Sequence, residues 1–322
     1  MRIRTFWLAA AVLACVNISA RAQGAYPDHA VKIVVPIQPG GIIDAVAKPI
    51  AEQMSKTTGQ SVATDYQPGA LTNTGTAFVA HAPGDGYTLL AHSRQMVNNM
   101  FIFKQPAYDV EKDFVPISLV AKTAFLVAVR PQFGARTVKD LIDMAKAAPG
   151  KIRYANSGKA SNQQMSMELF KLLSKADIAR VEFDGGGPAQ DALANGEADV
   201  GIFATVAVTK MVREGKMRAI ATTGAKRDPA MPEVPTVAES GLPGYEFISW
   251  VGLFAPAATP PERVAAINAA VVKAARDPEF VARMQKQGAE VVAGSSEEYR
   301  AFIKSELARW GEVIRQAGIK PQ

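Results

Sequence analysis

The 322-residue chain has a single cysteine, Cys15, and three histidines, His29, His81 and His92. One thiol excludes a disulfide framework and any cysteine-based metal site. No G-x-S-x-G elbow, S-x-x-K, H-E-x-x-H or glycine-lysine-Ser/Thr sequence occurs, so the common hydrolase, zincin and P-loop chemistries have no anchor. The run Asp184-Gly185-Gly186-Gly187-Pro188-Ala189-Gln190 lacks the third glycine of a dinucleotide fingerprint. No apolar stretch reaches the ~18 residues needed to span a bilayer. Charge of one sign is also scarce: 36 basic residues stand against 30 acidic ones, scattered, with no basic stripe interleaved with aromatics. That argues against a nucleic-acid partner. No catalytic residue, metal site or cofactor is expected.

The first 22 residues read as a signal peptide. Arg2 and Arg4 form a positive start, Phe6–Val16 a short apolar core, and Ala20-Arg21-Ala22 a cleavage site, so the mature chain is expected to begin at Gln23 in the periplasm. A rival reading takes Val12-Leu13-Ala14-Cys15 as a lipobox that anchors the protein by a lipid on Cys15. Cleavage after Ala22 removes three arginines, and the net charge falls from +6 to +3. The 300 residues left, in a chain 48% hydrophobic, are enough for two cores.

Strand-like and helical runs alternate along the chain. Strands are expected at 31–37, 61–65, 87–91, 115–120, 125–129, 152–155, 179–183, 200–203, 219–222 and 250–255. Helices are expected at 42–56, 73–80, 138–148, 163–175, 188–195, 206–214, 261–275, 278–287 and 296–317. This is an α/β pattern, with each lobe a mixed, mostly parallel sheet flanked by helices. The strand–glycine turn–helix unit occurs twice, at "IVVPIQPGGIIDAVAKPIAEQM" and at "YANSGKASNQQMSMELF". The division expected is a first lobe over 23–122, a second over 123–227, and a return to the first over 228–322. A ligand cleft would lie between them, lined by strand ends and helix N-termini. Such turns aim free backbone N–H groups at an anion.

The order of several segments then carries a resemblance. "YPDHAVKIVVPIQPGG" with Asp44, "DYQPGA", "APGDGYTLL", "YDVEKDFVPISLV", "PGKIRYANSG", "AKRDPAMPEVPTVAESGLPGYE", "WVGLFAPAATP" and "ARWGEVIRQAGIK" together resemble the extracytoplasmic solute-binding receptors of tripartite tricarboxylate transporters, the Bug family, over residues 26–320. The resemblance implies a two-lobed periplasmic binding protein that closes on a small carboxylate and hands it to a two-subunit integral membrane permease. It also implies that the two turns grip a ligand carboxylate. These are Pro39, Gly40, Gly41, Ile42, Ile43 and Asp44, and Ser157, Gly158, Lys159, Ala160, Ser161 and Asn162. Ser93, Gln163 and Gly187 are further candidates, and a monomer is expected.

Several of these residues have two readings. Asp44 either meets the ligand or bonds backbone N–H groups of its own helix turn; the local role is simpler, since a second anion would repel the first. His92 closes a strand at its ligand-facing end, or packs inside. Arg94 and Lys159 are cations for a far carboxylate, or solvated surface charges. The chain also departs from the family at Ile42 and Ile43, at Leu71 and Thr72, at Gln164, and at Phe203 and Ala204, mostly toward hydrocarbon. Either the neighbouring core has repacked, or the ligand has an apolar middle, as an aromatic dicarboxylate such as terephthalate has. A short aliphatic or citrate-like acid remains an alternative, as do a sensor role and, in another class, a secreted hydrolase.

Overall fold

A computed structural model describes residues 26–159, 161–316 and 321. The signal-peptide reading, Cys15, Gln23 and Ala160 lie outside the described residues. The chain runs through β1 (Val31–Val35), α1 (Ile42–Thr58), β2 (Val62–Tyr66), a 3-10 turn (Ala70–Thr72), α2 (Asn73–Ala80), β3 (Thr88–Ser93) and α3 (Gln95–Ile102). The long strand β4 (Phe114–Val129) follows. Next come α4 (Val138–Ala147), β5 (Arg153–Asn156), α5 (Asn162–Ser174), β6 (Ala179–Glu182), α6 (Gly186–Asn195), β7 (Val200–Ala204), α7 (Thr205–Arg213) and β8 (Arg218–Thr222). The chain ends with β9 (Ile248–Pro256), α8 (Pro261–Ala275), α9 (Pro278–Lys286), β10 (Ala289–Val291) and α10 (Ser296–Gln316).

The strands follow the order β2-β1-β3-β9-β4-β7-β5-β6, with β8 and β10 also on β4. Both flanks are parallel, β1 with β2 and β3, and β5 with β6 and β7. The middle is antiparallel, where β9, β7, β8 and β10 meet β4. β4 belongs to two sheets. Its residues 114–124 pair with β9, and its residues 125–129 pair with β7 and β8. The lobes are therefore joined by one continuous strand where two separate strands were expected. A second crossing, after β8, lies beside the first and is bonded to it. The Phe125 amide donates to Thr223 Oγ1 at 2.7 Å, and that hydroxyl donates to the Phe247 carbonyl at 2.6 Å. Thr223 is fully buried, so these bonds do not compete with water.

Local sequence explains why the helices start where they do. Thr137 and Asp140 form a reciprocal capping box for α4. Asp277 caps α9, and a proline occupies the first turn of α8 and of α9, where its missing N–H has no helical partner to lose. α10 packs on the first lobe through an aromatic cluster. Trp250 and Tyr299 meet edge to face at 5.8 Å, and Phe254 lies 5.1 Å from Tyr299. Among the described residues no helix is long and apolar enough to cross a membrane.

Candidate functional site

Helices from both lobes begin at one cavity between them, among them α1, α5 and α6. α1 starts after the turn Gln38–Gly41, α5 after Ser157–Ser161, and α6 after Gly185. The cavity is lined by Ile37, Gly41, Ile42, Ile43, Leu71, Thr72, Ser93 and Gln95 from the first lobe. The second lobe contributes Ser157, Lys159, Ser161, Asn162, Gln163, Gly185 and Gly186. The first four N–H groups of each helix have no partner inside it, and each helix start carries partial positive charge. α1 and α6 have no side-chain cap to occupy those groups. In α5 the Ser161 hydroxyl accepts from the Gln164 amide at 3.2 Å. Hydroxyls, carboxamides and one lysine make up the polar lining. Asn162 lines the cavity, and its Oδ1 is buried without a hydrogen-bond partner.

The cavity is small, about 70 Å³. At roughly 30 Å³ per water in the liquid it holds about two waters. It is small because the lobes touch. Gln190 Nε2, from α6, donates to the Gly40 carbonyl at 2.8 Å. A Cβ on Gly187 would stand 2.5 Å from the Pro39 carbonyl oxygen, and one on Gly40 would stand 3.2 Å from Gly187 Cα. Two glycine turns thus lie backbone against backbone, at a separation no side chain permits. On the other flank, Gln95 Nε2 reaches the Lys159 carbonyl at 3.5 Å.

Asp44 makes local bonds. Its carboxylate accepts from the Gly40 amide at 2.8 Å and from the Tyr66 hydroxyl at 2.5 Å, which fixes the turn that meets the second lobe. Pro39, Gly40 and Gly187 form the lobe contact and do not line the cavity. Gly158, with φ of +116°, packs against Leu71.

Three of the candidate residues lie away from the cavity lining. His92 is fully buried behind the cavity, with Nε2 3.2 Å from Thr72 Oγ1. Burial pushes its imidazole down to about 3, only partly opposed by the bond to Ser93, so it is neutral at physiological pH. Phe203 is fully buried in the second lobe's core with Leu126 and Ala155, because both faces of β7 are covered. Arg94 is buried and is not a solvated surface charge. Its Nε donates to Glu306 at 3.2 Å, another nitrogen donates to the Ile248 carbonyl, and the guanidinium lies over the Phe247 and Trp310 rings at 4.8 and 4.3 Å. Ile43, although at the cavity, is 1% exposed and belongs to the core; Ile42 is half-buried.

The residues that sequence reasoning did not place at the site are Ile37, Leu71, Thr72, Gln95, Gly185 and Gly186. Leu71 and Thr72 had a signal, as departures beside a Pro-Gly turn. Gly185 and Gly186 had one too, as a glycine run opening a helix. Gln95 opens a helix that the sequence pattern did not reveal.

A two-lobed α/β fold with helix N-termini converging on a buried cleft defines a solute-binding protein. Residues 46–319 match the family model described as the tripartite tricarboxylate transporter family receptor. Protein BugT of Bordetella pertussis is 31% identical over 297 residues, which cover 92% of this chain and 91% of that protein. The structure of R. palustris Rpa4515 with adipate matches with a TM-score of 0.88 at 33% identity, covering 92% of this chain and all of that one. MatC of Rhodopseudomonas palustris with bound malate matches with a TM-score of 0.83 at 33% identity, covering 90% of this chain and all of that one. The chain belongs to the tripartite tricarboxylate transporter receptor family, of the Bug type.

Proposed function

We propose that the protein captures a small carboxylate with an apolar middle in the periplasm and delivers it to a two-subunit membrane permease, without chemical change to the ligand. The observation that supports this best is the convergence of helix N-termini, from both lobes, on one cavity with a hydrocarbon wall of Ile37, Ile42 and Leu71. The helix starts offer an anion N–H groups and partial charge without a rigid salt bridge. The hydrocarbon wall gives an apolar ligand centre somewhere to lose its water. Relatives described with adipate and with malate fit a carboxylate ligand. The proposed lobes are residues 23–122 with 228–322, and 123–227; the change of β4 partners at Ala124/Phe125 supports the first boundary, while Met231 and Val234, which pack with Leu126 and Phe203, favour a return later than 228. In this reading Gly41, Ile42, Ser93, Ser157, Lys159, Ser161, Asn162 and Gln163 contact the ligand.

Isothermal titration with adipate, terephthalate, succinate and malate tests the reading, with each acid recovered and identified afterwards. Adipate or terephthalate should bind more tightly than malate and return unchanged. At ~100 times its dissociation constant a ligand should add about 2.7 kcal/mol of stability. Tighter binding of malate removes the apolar-centre assignment. Binding of none of the four removes the carboxylate assignment, and a chemically altered acid points to the secreted hydrolase.

A further inference from the structure

Ala70, Leu71 and Thr72 all have positive φ, at +45°, +55° and +77°. Left-handed backbone is disfavoured for residues with a side chain, and three in succession without a glycine need external support. That support is dense. Asn73 Nδ2 donates to the Ala70 carbonyl at 2.8 Å and Asn99 Nδ2 to the Leu71 carbonyl at 2.8 Å. Thr76 Oγ1 donates to the Thr72 carbonyl at 2.7 Å. The Thr72 hydroxyl lies 3.1 Å from Asn99 Nδ2 and 3.2 Å from His92 Nε2. Asn99, Thr76 and His92 are fully buried. All three carbonyls of the turn are therefore held from inside the first lobe.

The side chain that this turn presents is Leu71. It lines the cavity, and its Cδ2 lies 3.0 Å from where a Cβ on Gly158 of the second lobe would stand. We infer that Leu71 is a specificity-determining residue, the fixed part of the hydrocarbon wall that limits how long an apolar middle the closed cleft accepts. This rests on the carboxylate-receptor reading above. A flexible loop would yield to a longer ligand, whereas a turn whose three carbonyls and one hydroxyl are all bonded does not.

The test is titration of succinate, adipate and suberate, an unbranched dicarboxylate series, into the wild-type protein, Leu71→Ala and Leu71→Gly. Leu71→Ala keeps the β-carbon and the left-handed strain while removing the wall. Leu71→Gly removes both. In both variants the ratio of suberate to succinate affinity should rise by about fivefold or more, which is roughly the effect of burying one further methylene. A smaller rise in either variant overturns the inference. A change seen in Leu71→Gly alone assigns the effect to backbone freedom and overturns it as well. Absence of binding by all three acids in the wild-type protein defeats the carboxylate reading itself, a failure distinguishable from an unchanged ratio. Circular dichroism of each variant confirms that the fold persists.

Discussion

Gly187 gives the sharpest test of closure, because it sits at the lobe contact and not in the cavity. It is the second residue of α6, in the first turn and directly before Pro188, so alanine there brings no helix-propensity gain. The same methyl would lie 2.5 Å from the Pro39 carbonyl oxygen in the other lobe, against backbone that cannot swing aside. The lobes must stay apart by several tenths of an ångström, and the 2.8 Å bond from Gln190 to the Gly40 carbonyl is lost or lengthened. That bond is worth about 1 kcal/mol. The lost glycine-on-glycine packing, at about 0.1–0.2 kcal/mol per atom pair, contributes up to about 1 more. A total of about 2 kcal/mol corresponds to roughly 30-fold in dissociation constant. Gly187→Ala should therefore keep its fold by circular dichroism while binding its ligand about 30-fold more weakly. Small-angle scattering should show a smaller radius of gyration with ligand in the wild type and a lesser contraction in the variant. Wild-type affinity together with full contraction would refute the account of the lobe contact.

Two further predictions concern stability. His92 titrates at about 3 when folded against an ordinary value of 6.5, so the unfolded chain binds more protons between those limits. Its contribution is complete above pH ~6.5 and is lost progressively toward pH ~3. At pH 4.5 the loss is about 2–3 kcal/mol relative to pH 7, and urea unfolding at both values should show His92→Gln spared that much of the decline; equal slopes would contradict the assignment. Glu306→Gln leaves the Arg94 guanidinium buried and unpaired, while Trp250 Nε1, 2.6 Å from the same carboxylate oxygen, retains an acceptor. The expected cost is about 3–5 kcal/mol by denaturant unfolding, and a variant within 1 kcal/mol of wild type would show that the pair is not confined as described.

The sequence pattern located most elements to within two residues, since helices and strands here are long and periodic. It divided β4 in two because Ala121-Lys122-Thr123-Ala124 interrupts the hydrocarbon. The interruption is polar for reasons far away in the chain. Thr123 Oγ1 donates to the Gly288 carbonyl at 2.9 Å, and the Lys122 ammonium lies 5.0 Å over the Phe302 ring. Partners more than 160 residues distant leave no local trace, so a continuous strand looks like two. β10 and α3 were missed for a related reason: β10 spans three residues, and α3 carries Gln95, Asn98 and Asn99 buried in polar networks where an apolar stripe would normally mark a helix.

The site shows the same limit more sharply. Phe203 and Leu71 were equivalent on paper, both departures from the family pattern toward hydrocarbon near the expected cleft. Phe203 stands in a strand covered on both faces, where every position is apolar and alternation carries no information about direction. Leu71 faces the cleft only because its backbone is left-handed, and that conformation depends on Asn99, Thr76 and His92, none of them in its own turn. Arg94 and Lys159 were likewise two cations of equal promise. Glu306, 212 residues further on, takes Arg94 into the core, and Lys159 stays at the cavity. Local sequence marks where an anion can be held, because helix starts and glycines are local features. Which side chains complete the pocket is decided by burial and by partners from the other end of the chain.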